Sequence, residues 1–331
     1  MFKSQPSTCK TYFVELPLSR LHVMETGEGE PLIIVPATIS ELNEWRSLAQ
    51  FMAQWFRVYF FELPGHGEST AFEDGFSSHK VADLVSQLAD KLGYERFNLM
   101  GFSFGGLLAM RTYRQLSHRI DRLILIAPCL DHRALPLSPM RQTLLHKFNG
   151  LISRPNIQKR FVEFIHDPRA ISIIVKFLQK VGKLEDTIPL QKKLPRTKAS
   201  TIAVLNAQIN EILTNEFDIN PEKHVTPCYF AMSVRDPLIR FDATESILHE
   251  HFANVSTLRL DYPFHQPPSP FTYEELNHDF HTTVDAFIQP TDGGENFHET
   301  QKFDKSDPDR IGAERVVDLS PTFERFPALV Q

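Results

Sequence analysis

A short apolar run, Phe97-Asn98-Leu99-Met100, passes directly into Gly101-Phe102-Ser103-Phe104-Gly105-Gly106 and on into Leu107-Leu108-Ala109-Met110. A strand must therefore end, and a helix begin, within a few residues. In that setting the G-x-S-x-G string reads as a nucleophile elbow, a turn so tight that its serine is held in strained backbone geometry. The residues two places to either side have to be small, and here they are Gly101 and Gly105. Gly106 adds a third small residue, where the new helix packs closely on its sheet. Such a turn presents the Ser103 hydroxyl at the carboxyl end of a strand and the start of a helix. Helix-terminal N–H groups there favour a developing negative charge.

The flanking sequence repeats the alternation of strand and helix. Residues 11–16 and 21–25 alternate apolar and polar side chains, as a half-exposed hairpin should. Residues 32–35, 57–61, 97–102, 123–127, 228–233 and 257–260 are short, largely apolar runs, the pattern of buried parallel strands. Between them lie helical stretches at 42–51, 244–252 and 273–288, and one in which Val81, Leu84, Val85, Leu88 and Leu92 recur at helical spacing. This order predicts an α/β fold, a mostly parallel central sheet with helices on both faces. Residues 131–221 break the pattern. Phe161, Phe164 and Ile165, then Ile173, Ile174, Phe177 and Leu178, mark helical faces with no clear buried strand among them. The expected organisation is a core formed by residues 1–130 and 222–289, a helical insertion at 131–221, and a polar, acidic tail at 290–331. The tail has too little periodic apolar surface to fold on its own, and it reads as disordered.

Four landmarks carry a resemblance to a known family. They are Pro31-Leu32-Ile33-Ile34-Val35-Pro36, Glu62-Leu63-Pro64-Gly65-His66-Gly67-Glu68-Ser69, the Ser103 elbow, and Ser233-Val234-Arg235-Asp236-Pro237-Leu238, with His265 following the last apolar strand. The chain resembles the α/β-hydrolase fold family, in its serine-nucleophile branch with a helical cap inserted after the sixth strand. The resemblance implies a catalytic triad in the chain order serine, acid, histidine. Ser103, Asp236 and His265 obey that order. A hydroxyl needs a base to take its proton during attack, and histidine titrates near neutrality. The carboxylate would fix the tautomer of His265 and stabilise its charged form. Asp131 is the rival acid, since some members carry theirs after the preceding strand. His66, His278 and His281 are rival histidines; the first lies in a loop that is structural in the family, the others inside the final helix.

The family's oxyanion hole implies two backbone N–H donors, from Phe104 and from the loop after residues 32–35. Many members have His-Gly in that loop, whereas this chain has Pro36-Ala37-Thr38. Proline has no N–H to give, so Ala37 or Thr38 must supply the second donor. Glu62 is a further departure, since Asp is commoner before Leu-Pro-Gly, and it reads as structural. Serine at the nucleophile position disfavours the dehalogenase and epoxide hydrolase branches, whose nucleophile is aspartate. Acyl-enzyme chemistry on a carbonyl remains: hydrolysis of a small or medium apolar ester first, with acyl transfer, carbon–carbon hydrolysis or a weakly active binding protein as alternatives. The motifs call for no organic cofactor and no metal.

Composition narrows the partners. The formal charge of −6 argues against general nucleic-acid binding. No apolar stretch approaches the roughly 20 residues that span a bilayer. The residues Met1-Phe2-Lys3-Ser4-Gln5-Pro6 lack the apolar core of a secretory signal. Cys9, Cys129 and Cys228 are odd in number and widely spaced, against a disulfide framework or zinc site. Cys129 and Cys228 beside strand-like runs read as small buried hydrophobes. A cytoplasmic location and a small-molecule substrate are the expectation. The basic run Gln191-Lys192-Lys193-Leu194-Pro195-Arg196-Thr197-Lys198 reads either as a solvated face or as an attractor of an anionic substrate or carrier.

Overall fold

The computed structural model describes residues 6–38, 41–172, 198–219, 222–263, 265, 271–288 and 298–300. The hairpin expected at the start is β1 (Lys10–Glu15) and β2 (Arg20–Thr26), paired antiparallel with Val14 opposite Leu21. Then follow β3 (Glu30–Val35), α1 (Leu42–Met52), β4 (Phe56–Phe61), α2 (Ser78–Leu92), β5 (Phe97–Phe102), α3 (Phe104–Leu116) and β6 (Ile120–Ile126). After β6 come α4 (Pro139–Ile152), α5 (Pro155–His166) and α6 (Ala199–Thr214). The core resumes with β7 (Cys228–Ser233), α7 (Phe241–His251), β8 (Val255–Leu260) and α8 (Tyr273–Ile288), and ends with β9 (His298–Thr300).

The strands form one sheet in the order β1-β2-β4-β3-β5-β6-β7-β8-β9. Strands β3 to β9 run parallel to their neighbours, and β2 meets β4 antiparallel. This is the α/β-hydrolase fold, with a helical insertion after the sixth strand. Strand addition goes outward from β3 to β4, then returns to the other side of β3 with β5. The carboxyl ends of β3 and β5 therefore flank a topological switch point, where the crossover helices leave in opposite directions and open a crevice. Ser103 and the Pro36-Ala37-Thr38 loop both lie there.

Alternation along the central strands divides the core in two. In β3, Ile33 and Val35 pack towards α2 and α3, whereas Leu32 and Ile34 pack towards α1 and α8. Such two-sided burial is why these strands read as continuous apolar runs. Helix ends follow local chemistry. Ser77 caps α2 by accepting the N–H of His79, and Gly93 closes it in the left-handed region at φ 80°. Cys129 and Cys228 are buried, and burial pushes the Cys129 thiol up to about 12.

Among the described residues, α6 ties the insertion to the core. Ser200 and Thr201 donate their hydroxyls to the carbonyl of Gly65, at 3.1 and 3.0 Å. Glu211 accepts the N–H of Ser78 at the start of α2, at 2.8 Å. Asn149 of α4 donates to the carbonyl of Asn206, joining the insertion's own helices. Residues 173–178 of the expected helical faces, and residues 191–197 of the basic run, lie outside the described residues, as do the N-terminal residues 1–5.

One departure from the sequence reading lies in the tail. His298–Thr300, within the segment expected to be disordered, pairs parallel with β8, Leu258 facing Glu299. The physical reason is the open edge of β8, whose unpaired N–H and C=O groups offer a template that any short extended segment can satisfy. The apolar tail residues Phe323, Phe326, Leu329 and Val330 lie outside the described residues.

Candidate active site

Ser103 stands between β5 and α3 with φ 53° and ψ −121°. A side-chain-bearing residue rarely adopts such a conformation, and here several bonds hold it. Its N–H donates to the carbonyl of Ile126 at 3.0 Å, and its own carbonyl accepts the N–H groups of Gly106 and Cys129, each at 2.9 Å. The glycines around it are required by close approach. A Cβ on Gly101 would stand 2.2 Å from the Gly105 carbonyl oxygen. One on Gly105 would stand 2.5 Å from that of Val35, and one on Gly106 would stand 2.3 Å from the Pro128 Cβ. None of these separations is compatible with a real side chain.

His265, Asp236 and Ser103 meet although they are widely separated in sequence. His265 Nε2 lies 2.7 Å from Ser103 Oγ, and His265 Nδ1 lies 2.6 Å from Asp236 Oδ2. The other carboxylate oxygen of Asp236 accepts the N–H groups of Leu238 and Ile239, at 2.8 and 3.0 Å. That carboxylate is 1% exposed and the imidazole 9%. With Oδ1 occupied by two backbone donors, Oδ2 is left to face the ring. A carboxylate on Nδ1 puts the neutral imidazole's proton there and leaves Nε2 as the acceptor for the serine hydroxyl.

The rival groups are engaged elsewhere. Asp131 is fully buried and accepts the N–H and the guanidinium of Arg133, with Arg133 Nη2 at 2.8 Å. Arg133 reaches on to Glu250 at 3.0 Å. Asp131 thus caps a short 3₁₀ turn and neutralises an arginine. His278 is exposed beside Asp279, and His281 lies against Trp55. His66 is buried, its ring nitrogens have no hydrogen-bond partner among the described residues, and burial pulls its pKa down to about 4.

Phe104 is the first residue of α3, so its N–H has no partner within the helix. The clash that a Gly105 Cβ would make with Val35 and Pro36 brings the start of α3 directly against the exit of β3. Ala37 is buried and Thr38 half-buried on that exit. Residues 39 and 40 of the same loop lie outside the described residues. Glu62 organises the surroundings. Its carboxylate accepts the N–H of Glu68 at 2.7 Å and of Leu42 at 3.3 Å, and faces His22 Nδ1 at 3.1 Å. Leu42 opens α1, so Glu62 joins the Pro64–Gly67 turn to the helix that follows the Ala37-Thr38 loop. The structural reading of Glu62 agrees with this position.

An aromatic ladder was not foreseen. The imidazole of His265 lies 5.4 Å from the Phe102 ring, Phe102 lies 5.3 Å from Trp45, and Trp45 lies 5.4 Å from Phe60. The available signal was Phe102 itself. Its side chain leaves the elbow strand beside that of the serine, and a flat ring there can back an imidazole. Behind the ladder lies a cavity of about 230 Å³, bounded by α1, α8 and strands β6 to β8, and reaching His265 and Asp236. The pocket expected beneath the cap helices is not what this cavity is: none of its described lining residues comes from α4, α5 or α6. Among the described residues no group of three or more His, Cys, Asp or Glu is arranged to hold a metal, and no helix is long and apolar enough to cross a membrane.

A family model described as the alpha/beta hydrolase fold matches residues 30–169. The match includes the elbow and stops before the strands that carry Asp236 and His265. Pimeloyl-[acyl-carrier protein] methyl ester esterase of Nitrosomonas europaea is 29% identical over 119 residues, 35% of this chain and 45% of that protein. 2-Hydroxy-6-oxo-6-phenylhexa-2,4-dienoate hydrolase of Comamonas testosteroni is 31% identical over 161 residues, 46% of this chain and 56% of that protein. The chain spans about half the length of these curated relatives. A thermophilic esterase from Thermogutta terrifontis superposes with a TM-score of 0.58 at 16% identity, over 85% of this chain and 100% of that one. By its sheet order, its strand–elbow–helix and these likenesses, the chain has the α/β-hydrolase fold.

Proposed function

We propose that the protein is a serine hydrolase that cleaves small or medium, mainly apolar esters through an acyl-enzyme. The observation that carries this reading is the unbroken hydrogen-bonded chain Asp236–His265–Ser103. Ser103 Oγ attacks the ester carbonyl carbon while its proton passes to His265 Nε2. Asp236, on Nδ1, stabilises the imidazolium that forms. The carbonyl oxygen gains a full negative charge in the tetrahedral intermediate. The N–H of Phe104 and a donor from Ala37 or Thr38 serve it there, worth about 3–4 kcal/mol per donor in such sites. The imidazolium then protonates the leaving alkoxide. In the second half, water attacks the acyl carbon with His265 again as base, and Ser103 Oγ departs with the proton.

The substrate class rests on the walls. Phe102, Met232 and Leu260 lie beside His265 and Asp236, and no lysine or arginine is among the described residues of that lining. An apolar ester suits such walls better than a dicarboxylate, whose charges would go unpaired. One relative is named as a hydrolase of 2-hydroxy-6-oxo-6-phenylhexa-2,4-dienoate, and carbon–carbon hydrolysis by the same three groups is the second reading.

The test is labelling with a fluorophosphonate probe, together with turnover of p-nitrophenyl esters of increasing acyl length. The expected result is stoichiometric labelling of the wild type, none in Ser103→Ala, and ester turnover reduced by about 10⁴ to 10⁶ in that variant. An alanine variant that kept a tenth of the activity would remove Ser103 from the mechanism. Clean labelling without turnover of any ester would turn the reading to carbon–carbon hydrolysis or to a binding protein that keeps its triad.

A further inference from the structure

The cavity behind the aromatic ladder is unusual in its placement. It lies on the α1 and α8 face of the sheet, not under the cap. Its floor is Ile124 and Ile126 of β6, Ala231 of β7, and Leu258 and Leu260 of β8. Its roof is α8, with Leu276, Phe280, Val284 and Phe287, and its side wall is α1. Helix α8 is propped at two places. Near its end, the Phe287 ring meets Tyr229 of β7 edge-on at 5.4 Å. Along its flank, Trp55 Nε1 donates to Asp285 Oδ1 at 2.7 Å. Between these props the sheet offers a small residue, Ala231, where a larger one would close the gap. Besides the rings of Trp45 and Tyr262, the polar residues of the described lining are Asp236, Ser233 and His265 at the carboxyl edge of the sheet, and Glu44 at the start of α1.

We propose that this cavity binds a linear alkyl chain of medium length, with the chain's polar end next to His265. The lining is aliphatic and aromatic along its length, which makes it a poor host for water and a good one for hydrocarbon. A dry cavity of about 150 Å³ lined by such residues holds benzene. At roughly 30 Å³ per group, about the share of a water molecule in the liquid, 230 Å³ accommodates about seven or eight methylenes. Two sources could supply the chain. It is either the acyl or alkyl part of the substrate, or a separate fatty alcohol or acid that sits behind the His265–Asp236 pair while the reaction proceeds. The binding event itself does not depend on the proposed hydrolase activity; only the choice between sources rests on it.

Trp45 lines the cavity and makes the test direct. The chain has two tryptophans, so Trp55→His, which keeps a ring N–H for Asp285, leaves Trp45 as the only one. The probes are ω-bromoalkanols from four to ten carbons, whose bromine quenches indole fluorescence on contact. The expected result is saturable quenching, with affinity rising about fourfold per methylene and levelling off near eight carbons. Ala231→Leu and Val284→Phe, added to the Trp55→His protein, fill the floor and the roof. Each should weaken binding at least about tenfold, the loss expected when a filled site can no longer accept the chain without displacing side chains. Circular dichroism checks the fold, and Val284→Phe carries the test if Ala231→Leu does not fold. Quenching that grows linearly without saturation overturns the proposal, and so does saturable quenching that neither substitution weakens. Turnover then separates the sources. A selective loss of kcat/KM for p-nitrophenyl octanoate over acetate in Val284→Phe assigns the cavity to the substrate's chain. Equal values for the two esters, with bromo-octanol binding lost, assign it to a separate ligand. Should no ester be turned over, the hydrolase reading fails while the quenching still decides the cavity.

Discussion

At the scale of single residues, two buried carboxylates at strand ends do different work because of what faces them. Asp236 spends one oxygen on two backbone N–H groups and the other on His265. Asp131 spends both on Arg133. Asp236→Asn keeps the shape but offers an amide where the carboxylate was, so His265 loses the group that selects its tautomer. The expected outcome is a fall in kcat of about 10⁴ with little change in unfolding midpoint. Asp131→Asn leaves the half-buried Arg133 guanidinium with Glu250 as its remaining carboxylate partner among the described residues. Its expected cost is about 1–3 kcal/mol of stability, read by urea unfolding, with turnover of the folded fraction kept. A reversed ranking in kcat would transfer the orienting role to Asp131. The Ser-acid-His order points to Asp236 in the sequence as the proposed acid. The pairing of Asp131 with Arg133 was not legible there, because it rests on a neighbouring side chain and then on Glu250, far along the chain.

At the scale of elements, the short β9 is the sharpest departure from a polar tail. Three residues pair with the open edge of β8. Two truncations isolate its worth. Stopping the chain after Gln289 removes β9 and re-exposes that edge, and should lower stability by about 1–2 kcal/mol, the net value of one or two backbone hydrogen bonds. Stopping after Thr300 keeps β9 and should leave stability within about 0.5 kcal/mol of the full chain. Chemical denaturation of the two proteins side by side reads the difference, and equal midpoints would mean that the pairing adds nothing. Sequence pattern could not announce β9. Three residues are too few to show a period, and the partner strand's free edge supplies the reason to extend.

At the scale of the whole molecule, acid stability has an identifiable contributor. His66 lies buried in the Pro64–Gly67 turn and has its pKa pulled to about 4 by burial, against an ordinary histidine value of 6.5. The neutral form is therefore the one the fold accepts, and the unfolded chain binds the proton more readily. Above about pH 6.5 neither state is protonated there and the group costs nothing. Between pH 6.5 and 4 the unfolded state takes up its proton first, and stability falls, by about 3 kcal/mol in all once pH is below the folded value. Burial also lowers the pKa of His224 and His251, which adds to the same acid limb. In His66→Gln, the slope of unfolding free energy against pH should flatten between pH 6.5 and 4. An unchanged slope would mean that the His66 ring reaches solvent when charged.

What the sequence determined by itself was whatever depends on neighbours along the chain. Continuous apolar runs announced β3, β4, β5 and β7, since two-sided burial leaves no polar alternation to hide them. The elbow was legible because its glycines sit within five residues of the serine they serve. The proposed triad's order came through resemblance, and the structure brings Ser103, Asp236 and His265 within hydrogen-bond distance. Only the tertiary structure decided the rest. It engaged Asp131 with Arg133, set the tilted ring of Phe102 beside His265, set the Glu62 carboxylate between the Pro64–Gly67 turn and α1, and held α8 away from Ala231 so that a cavity remained. Each of these is a contact between segments far apart in sequence. Their formation depends on how whole helices and strands pack, and periodicity within one segment carries no information about it.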